Sequence, residues 1–164
     1  MLFTIKKGNH SSNGFLYKLL NLFTFKKMLA YKVIFHENTL YNDTSVDKLD
    51  VNKLFGYSEM NHKKNSARFG WNCLNGKINI YAYCYVDGVR VIKFIGVIKT
   101  NKTYNMILKE TKTKYVFSVI SEDSVFNRID VIKTKNHWFG YNLWPYFGGN
   151  KTAPHDMNIE LKKI

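Results

Sequence analysis

Proline is nearly missing from this sequence: Pro145 and Pro154 are its only two among 164 residues, and no Pro-rich, low-complexity or repeated stretch marks a domain boundary. The length suits one hydrophobic core, so residues 1–164 are expected to form a single β-sandwich domain, with 1–30 as N-terminal strands or an arm. Cysteine is equally sparse. Cys73 and Cys84 make no disulfide framework and lack the paired spacing of a zinc or redox site, so both read as core thiols. No apolar run approaches the roughly 20 residues that span a bilayer, and no membrane insertion is expected. The apolar stretch 15–25 is interrupted by Lys18 and followed by no small-residue cleavage pattern. It makes a poor signal peptide, which predicts cytoplasmic synthesis, with a virion as the alternative destination. Acidic residues are the third scarcity: 12 Asp and Glu face 25 Lys and Arg, for a formal charge of +13. Such a field attracts polyanions, whether acidic polysaccharide, nucleic acid or anionic lipid. The lysines occur singly or in pairs, as on a solvated surface rather than in a basic tail.

What is abundant is apolar and aromatic, 45% and 16% of the residues, arranged as short β-branched and aromatic runs separated by Asn, Asp and Gly. That pattern predicts an all-β chain. Strands are expected at 2–7, 15–25, 28–35, 103–109, 115–120, 125–133, 140–147 and 157–161, although Leu16, Leu19, Leu20 and Phe23 also have helical spacing. Segment 43–54 reads as a polar surface loop, because Asp47, Asp50 and Asn52 lack the bidentate carboxylate that would close a calcium site. In the centre, Asn75-Gly76 and Asp87-Gly88 sit between alternating runs. These are dipeptides favoured by type I′ turns, and they predict two linked hairpins. Many strands and little helix are buried most economically as a two-sheet antiparallel jelly-roll sandwich.

The turn at Asn75-Gly76 also sets a register. Cys73, Trp71, Phe69 and Ala67 are expected to face Ile78, Ile80, Ala82 and Cys84 on the core side. The other face then gathers Arg68, Gly70 and Asn72 opposite Tyr83, Tyr81 and Asn79, with Tyr85 and Arg90 beyond and a gap at Gly70. Phenol rings offer flat apolar faces to sugar C–H groups, while Arg and Asn hydrogen-bond hydroxyls or carboxylates. Arg68, Asn72, Asn79, Tyr81, Tyr83, Tyr85 and Arg90 are therefore the predicted ligand-binding set, for a polysaccharide or another polyanion. Single-stranded nucleic acid would use the same chemistry but ranks behind, since no nucleic-acid motif is present. His62 precedes the strand bearing Arg68 and is a candidate neighbour of the patch. No Ser-His-Asp set or carboxylate pair falls on this face, and no metal or cofactor is predicted. Near the end, Gly148 and Gly149 permit a sharp or left-handed turn, and His155-Asp156 reads as a loop brace.

Three stretches taken together carry a resemblance: Asn52-Lys53-Leu54-Phe55-Gly56-Tyr57; His62 with Asn65-Ser66-Ala67-Arg68-Phe69-Gly70-Trp71; and Leu143-Trp144-Pro145-Tyr146-Phe147-Gly148-Gly149 through Ala153-Pro154-His155-Asp156. They resemble small bacterial and phage-encoded proteins of the concanavalin A-like lectin/glucanase sandwich type, over most of the chain. The resemblance implies a concave polar sheet that binds carbohydrate, hence a non-catalytic carbohydrate- or polyanion-binding sandwich, with a phage virion as its setting. More distantly, the order of elements resembles alginate-lyase-type polysaccharide lyases. Arg68 matches their arginine strand and Tyr146-Phe147-Gly148-Gly149 part of their ending, while Tyr81-Ala82-Tyr83 stands where they carry Gln-x-His. One alternative that follows is a polysaccharide lyase acting on an acidic glycan, with Tyr83 or Tyr146 as acid/base and Arg68 at the substrate carboxylate. Another is a structural capsid or tail assembly protein whose patch is covered by other virion subunits.

Overall fold

Alternating apolar residues oblige each strand to keep one face dry, and two sheets facing each other satisfy all of them at once. The computed structural model describes the chain except for 26, 43–49, 60, 122–123 and 135–138, and except for the side chains of 124–126. One sheet has the order β1 (Leu2–Ile5), β12 (Met157–Lys163), β3 (Met28–Phe35), β8 (Thr103–Glu110), β9 (Lys114–Ser121) and β10 (Ser124–Ile132). The other, called the front sheet below, has the order β2 (Phe23–Thr24), β11 (Gly140–Leu143), β4 (Asn52–Ser58), β5 (Ser66–Leu74), β6 (Lys77–Val86) and β7 (Val89–Ile98). Every pairing is antiparallel. Early strands pair with late ones, β1 with β12 and β2 with β11, and the chain changes sheet between them. This is the expected jelly-roll sandwich.

The core lies between the sheets and is aromatic. Phe35 meets Trp71 edge-on at 5.3 Å, Phe69 meets Phe117 at 5.0 Å, and Tyr31 meets Phe55 at 4.7 Å. Such offset contacts stabilise beyond the area they bury. Cys73 and Cys84 are buried free thiols. Both hairpin turns adopt the left-handed conformation that type I′ demands, with φ of 52° and 69° at Asn75 and Gly76 and of 49° and 84° at Asp87 and Gly88.

Three segments differ from expectation. Residues 15–25 do not form one strand: a short helix α1 (Phe15–Leu20) is followed by the two-residue β2. Tyr17 anchors the helix edge-on to Phe3 and Trp144, and Lys18 beside it is half-buried, while the helix buries no residue completely. The expected loop 43–54 is strand from Asn52 onward, with Asn52, Lys53 and Leu54 buried. Here polar residues serve a sheet interior, which misleads a reading by composition. Asp47 lies outside the described residues, and Asp50 accepts the N–H groups of Val51 and Gly149. The expected strand 140–147 ends at Leu143, before Trp144-Pro145, since proline supplies no N–H to a ladder. His155-Asp156 braces loops: His155 Nε2 lies 2.9 Å from the Asn38 carbonyl, and Asp156 accepts the Lys7 N–H at 2.9 Å and Lys6 Nζ at 2.6 Å.

Candidate functional site

The hairpin register holds residue for residue. Arg68 is paired with Tyr83, Gly70 with Tyr81, Asn72 with Asn79, and Tyr85 with Arg90. All of them point away from the core on the front sheet, and β7 extends the same face with Ile92 beside Tyr83 and Phe94 beside Tyr81. The gap expected at Gly70 is filled. A Cβ there would lie 2.4 Å from Val51 Cγ1, so the glycine makes room for packing, not for a ligand. Gly56 plays the same part beside Arg68, whose Cα and Cβ would each lie 2.4 Å from an added Cβ.

The outer face divides in two. At one end Asn72 is fully buried, and its Oδ1 accepts Asn79 Nδ2 at 3.2 Å and the Tyr81 hydroxyl at 3.3 Å. These groups satisfy one another. At the other end the sheet is walled into a cleft of about 560 Å³. Its floor is Lys53, Arg68, Tyr83 and Tyr85, and its walls are Lys18 and Leu22 from the α1–β2 segment and 141–146 from β11 and the chain beyond it. Tyr146 is held in place by the backbone: its N–H donates to the Lys53 carbonyl at 2.9 Å, and the Lys53 N–H returns a bond of 2.8 Å. His10 stacks on its ring at 5.1 Å. His62 and Lys63 complete the rim, with the Tyr141 hydroxyl 3.5 Å from His62 Nδ1.

The lining is cationic and aromatic: Lys18, Lys53, Lys63 and Arg68 with Tyr83, Tyr85, Tyr141 and Tyr146, and no Asp or Glu among the described residues. Arg68 packs its guanidinium over the Tyr83 ring, 5.4 Å from the centroid, and Lys53 Nζ sits at 5.2 Å from the same centroid. Cation–π contact of this kind softens the burial of charge without supplying a counterion. Arg68 Nε is buried with no hydrogen-bond partner among the described residues. Burial pulls the Arg68 guanidinium below its ordinary value, while the phenols of Tyr83, Tyr141 and Tyr85 act in the opposite sense. Lys53 is only 8% exposed and donates to the Gly148 carbonyl at 3.0 Å. Burial likewise lowers its ammonium; Asp50 opposes that, and Arg68 and Arg90 add to it. Burial, then Arg68 and Lys63, lower the His62 imidazolium. The Tyr83 phenol is raised, first by burial and then by Tyr85, so it holds its proton at neutral pH.

Of the predicted set, Arg68, Tyr83 and Tyr85 line the cleft, whereas Asn72, Asn79, Tyr81 and Arg90 lie outside it. The acid/base candidates Tyr83 and Tyr146 do meet Arg68 there, and His62 joins them. Lys53, Lys18 and Tyr141 were not singled out. Lys53 carried a signal, a lone lysine within Val51-Asn52-Lys53-Leu54-Phe55, but it fell in a segment read as loop. Among the described residues, no cluster of three His, Cys, Asp or Glu is arranged to hold a metal ion, and no helix is long and apolar enough to cross a membrane.

No protein-family model matches the chain, and no curated protein matches it in sequence. Solved structures do. The chain is similar to the carbohydrate binding module CBM66 from Bacillus subtilis, at 12% identity and a TM-score of 0.44, over 97% of this chain and 82% of that one. It is similar to the CBM2 module of the evolved Dit of Lactobacillus casei BL23 phage J-1, at 12% identity and a TM-score of 0.49, over 96% of this chain and 66% of the module structure. A third similarity, to the enzymatically active domain of tailspike protein 2 of bacteriophage CBA120, has 11% identity and a TM-score of 0.45, over 83% of this chain and 22% of that one.

Proposed function

We propose that the chain is a non-catalytic carbohydrate-binding β-sandwich that holds an acidic sugar in the front-sheet cleft. The observation that carries this reading is the pairing deficit at its floor: Lys53 is buried, Arg68 is half-buried beside it with its Nε unpartnered, and neither forms an ion pair among the described residues. Burying cations without a counter-charge is costly, and an anionic ligand removes the cost. A carboxylate or sulfate suits a guanidinium, and Tyr83, Tyr85, Tyr141 and Tyr146 supply ring faces and hydroxyls for the sugar that bears it. The test is affinity electrophoresis through gels containing alginate, other acidic glycans, neutral glycans or DNA, at low and moderate salt. Retardation by an acidic glycan is expected to survive added salt and to be lost in Arg68→Met. Retardation by every polyanion alike, vanishing with salt, would reduce the effect to the net charge of +13.

A lyase is the second reading, favoured by the convergence of Tyr83, Tyr146 and Arg68 in one cleft. Elimination needs a base for the sugar C5 proton, and Tyr83, whose phenol is raised, is a proton donor at neutral pH. That places binding ahead of catalysis. Release of unsaturated sugar ends from an acidic glycan, lost in Tyr146→Phe, would reverse the order.

A further inference from the structure

The wall of the cleft has a second side. Lys18 and Leu22 face the cavity, but Phe15, Leu16, Leu19, Leu20, Phe23 and Phe25 on the same α1–β2 segment stand in solvent, each between 54% and 79% exposed. Phe139 links the two ends of β2, stacking on Phe23 at 5.2 Å and lying 5.5 Å from Phe25. So many large apolar side chains exposed on one segment mark an interaction site, because nothing in the fold repays leaving them in water. We infer that the α1–β2 rim is a membrane-docking surface, which seats the chain on an anionic lipid bilayer with the cleft mouth beside the headgroups.

Charge selects the occupant. Residues 1–36 contain Lys6, Lys7, Lys18, Lys26, Lys27 and Lys32 and no Asp or Glu, in a chain of formal charge +13. Lys6 and Lys27 are paired with Asp156 and Glu110 respectively, and Lys32 lies on a strand of the other sheet, so the attraction to an anionic surface comes from the positive charge of the chain as a whole. A second copy meeting this face would bring two strongly positive chains together, and β2 has only two residues with which to pair across a sheet edge. An anionic bilayer meets both needs: its surface potential draws in the lysines, and its fluid interior accepts projecting side chains without a matching groove. The seating is interfacial, at the depth of a few side chains, and asks for no spanning segment. Lys18 joins the two sides: its Nζ donates to the Ser12 carbonyl within the wall whose outer surface is apolar. The docking itself does not depend on the glycan reading.

The experiment is co-sedimentation of the full chain with vesicles of phosphatidylcholine alone and of phosphatidylcholine mixed equally with phosphatidylglycerol. The chain is expected to sediment with the mixed vesicles and to stay in solution with the neutral ones. Leu16→Ser/Phe25→Ser, which leaves the charge unchanged, is expected to lower the bound fraction by about tenfold or more, in keeping with the loss of two large apolar side chains from the bilayer interface. The same variant keeps its retardation by acidic glycan, and Arg68→Met keeps its sedimentation, so a failure of docking and a failure of sugar binding are told apart. Circular dichroism checks that the variants are folded, and Leu19→Ser/Leu20→Ser serves as a milder second pair. Docking is overturned if the parent chain does not sediment, or if both folded variant pairs sediment as it does, which would leave charge alone as the cause. It is equally overturned if sedimentation velocity shows a dimer that these substitutions dissociate, since a second copy would then cover the face.

Discussion

Two places in this sandwich hold cations out of water, and they resolve the problem in opposite ways. On the back sheet, buried Lys133 meets buried Glu110 at 2.8 Å, and Lys27 takes the other carboxylate oxygen at 3.1 Å. On the front sheet, Lys53 and Arg68 share a tyrosine ring and a cleft with no carboxylate. The first is closed within the chain and has nothing to offer a ligand. The second lacks a counter-charge among the described residues, which is the ground for proposing that an anion completes it. Buried charge by itself therefore says little about function; whether the chain supplies the partner decides.

The sharpest way to break this contrast is to unpair the closed site. Glu110→Gln is expected to cost about 3–5 kcal/mol of stability in urea unfolding, because it strands Lys133. Arg68→Met should do the reverse: affinity for an acidic glycan falls about 10–100-fold by calorimetry, as expected for losing charge-assisted hydrogen bonds, while stability holds or rises. A loss of stability like that of Glu110→Gln would make Arg68 structural and sink the contrast. Asn72→Ala probes the satisfied half of the outer face, and is expected to cost about 1–2 kcal/mol of stability with affinity changed less than about twofold.

Lys53 gives a signature in pH. Its ammonium lies below the ordinary lysine value, so on raising the pH it loses its proton before exposed lysines do. In that window the unfolded chain binds more protons than the folded one, so this residue's contribution to stability rises with pH. Anion affinity falls over the same window, because the ligand is attracted to the charged form. Opposite trends in unfolding and binding, both absent from Lys53→Met, are the expected result; parallel trends would remove Lys53 from the site.

The hairpin was legible in the sequence for a local reason. A two-residue Asn-Gly turn leaves one register, and period-two alternation then assigns every side chain to a face. That is why Arg68, Tyr83 and Tyr85 were found together and the inner face from Ala67 to Cys73 was correctly read as core. Alternation is blind to what stands over a face. It grouped Asn72, Asn79 and Tyr81 with Arg68, although the first three bond to each other outside the cleft. The walls come from distant chain: β11 pairs with β4, and Tyr146 exchanges backbone bonds with Lys53. No local pattern in 43–54 or 140–147 announces that meeting. The helix α1 was half legible: Leu16, Leu19 and Leu20 have helical spacing, but that stripe faces solvent, and the ring packed against the core is that of Tyr17.

The bonds between Lys53 and the segment from Tyr146 to Gly148 also set a timetable. They close a loop of about ninety residues, 95 between Lys53 Nζ and the Gly148 carbonyl, whereas the β5–β6–β7 meander closes through two-residue turns. Loop closure of that length is an entropic barrier met late, after local hairpins have formed. During synthesis the residues of the floor are complete once β6 has emerged, but the walls await the chain through residue 146. The cleft is thus a product of finished folding: on the proposed reading, a nascent chain with every front hairpin in register is still unable to hold a sugar.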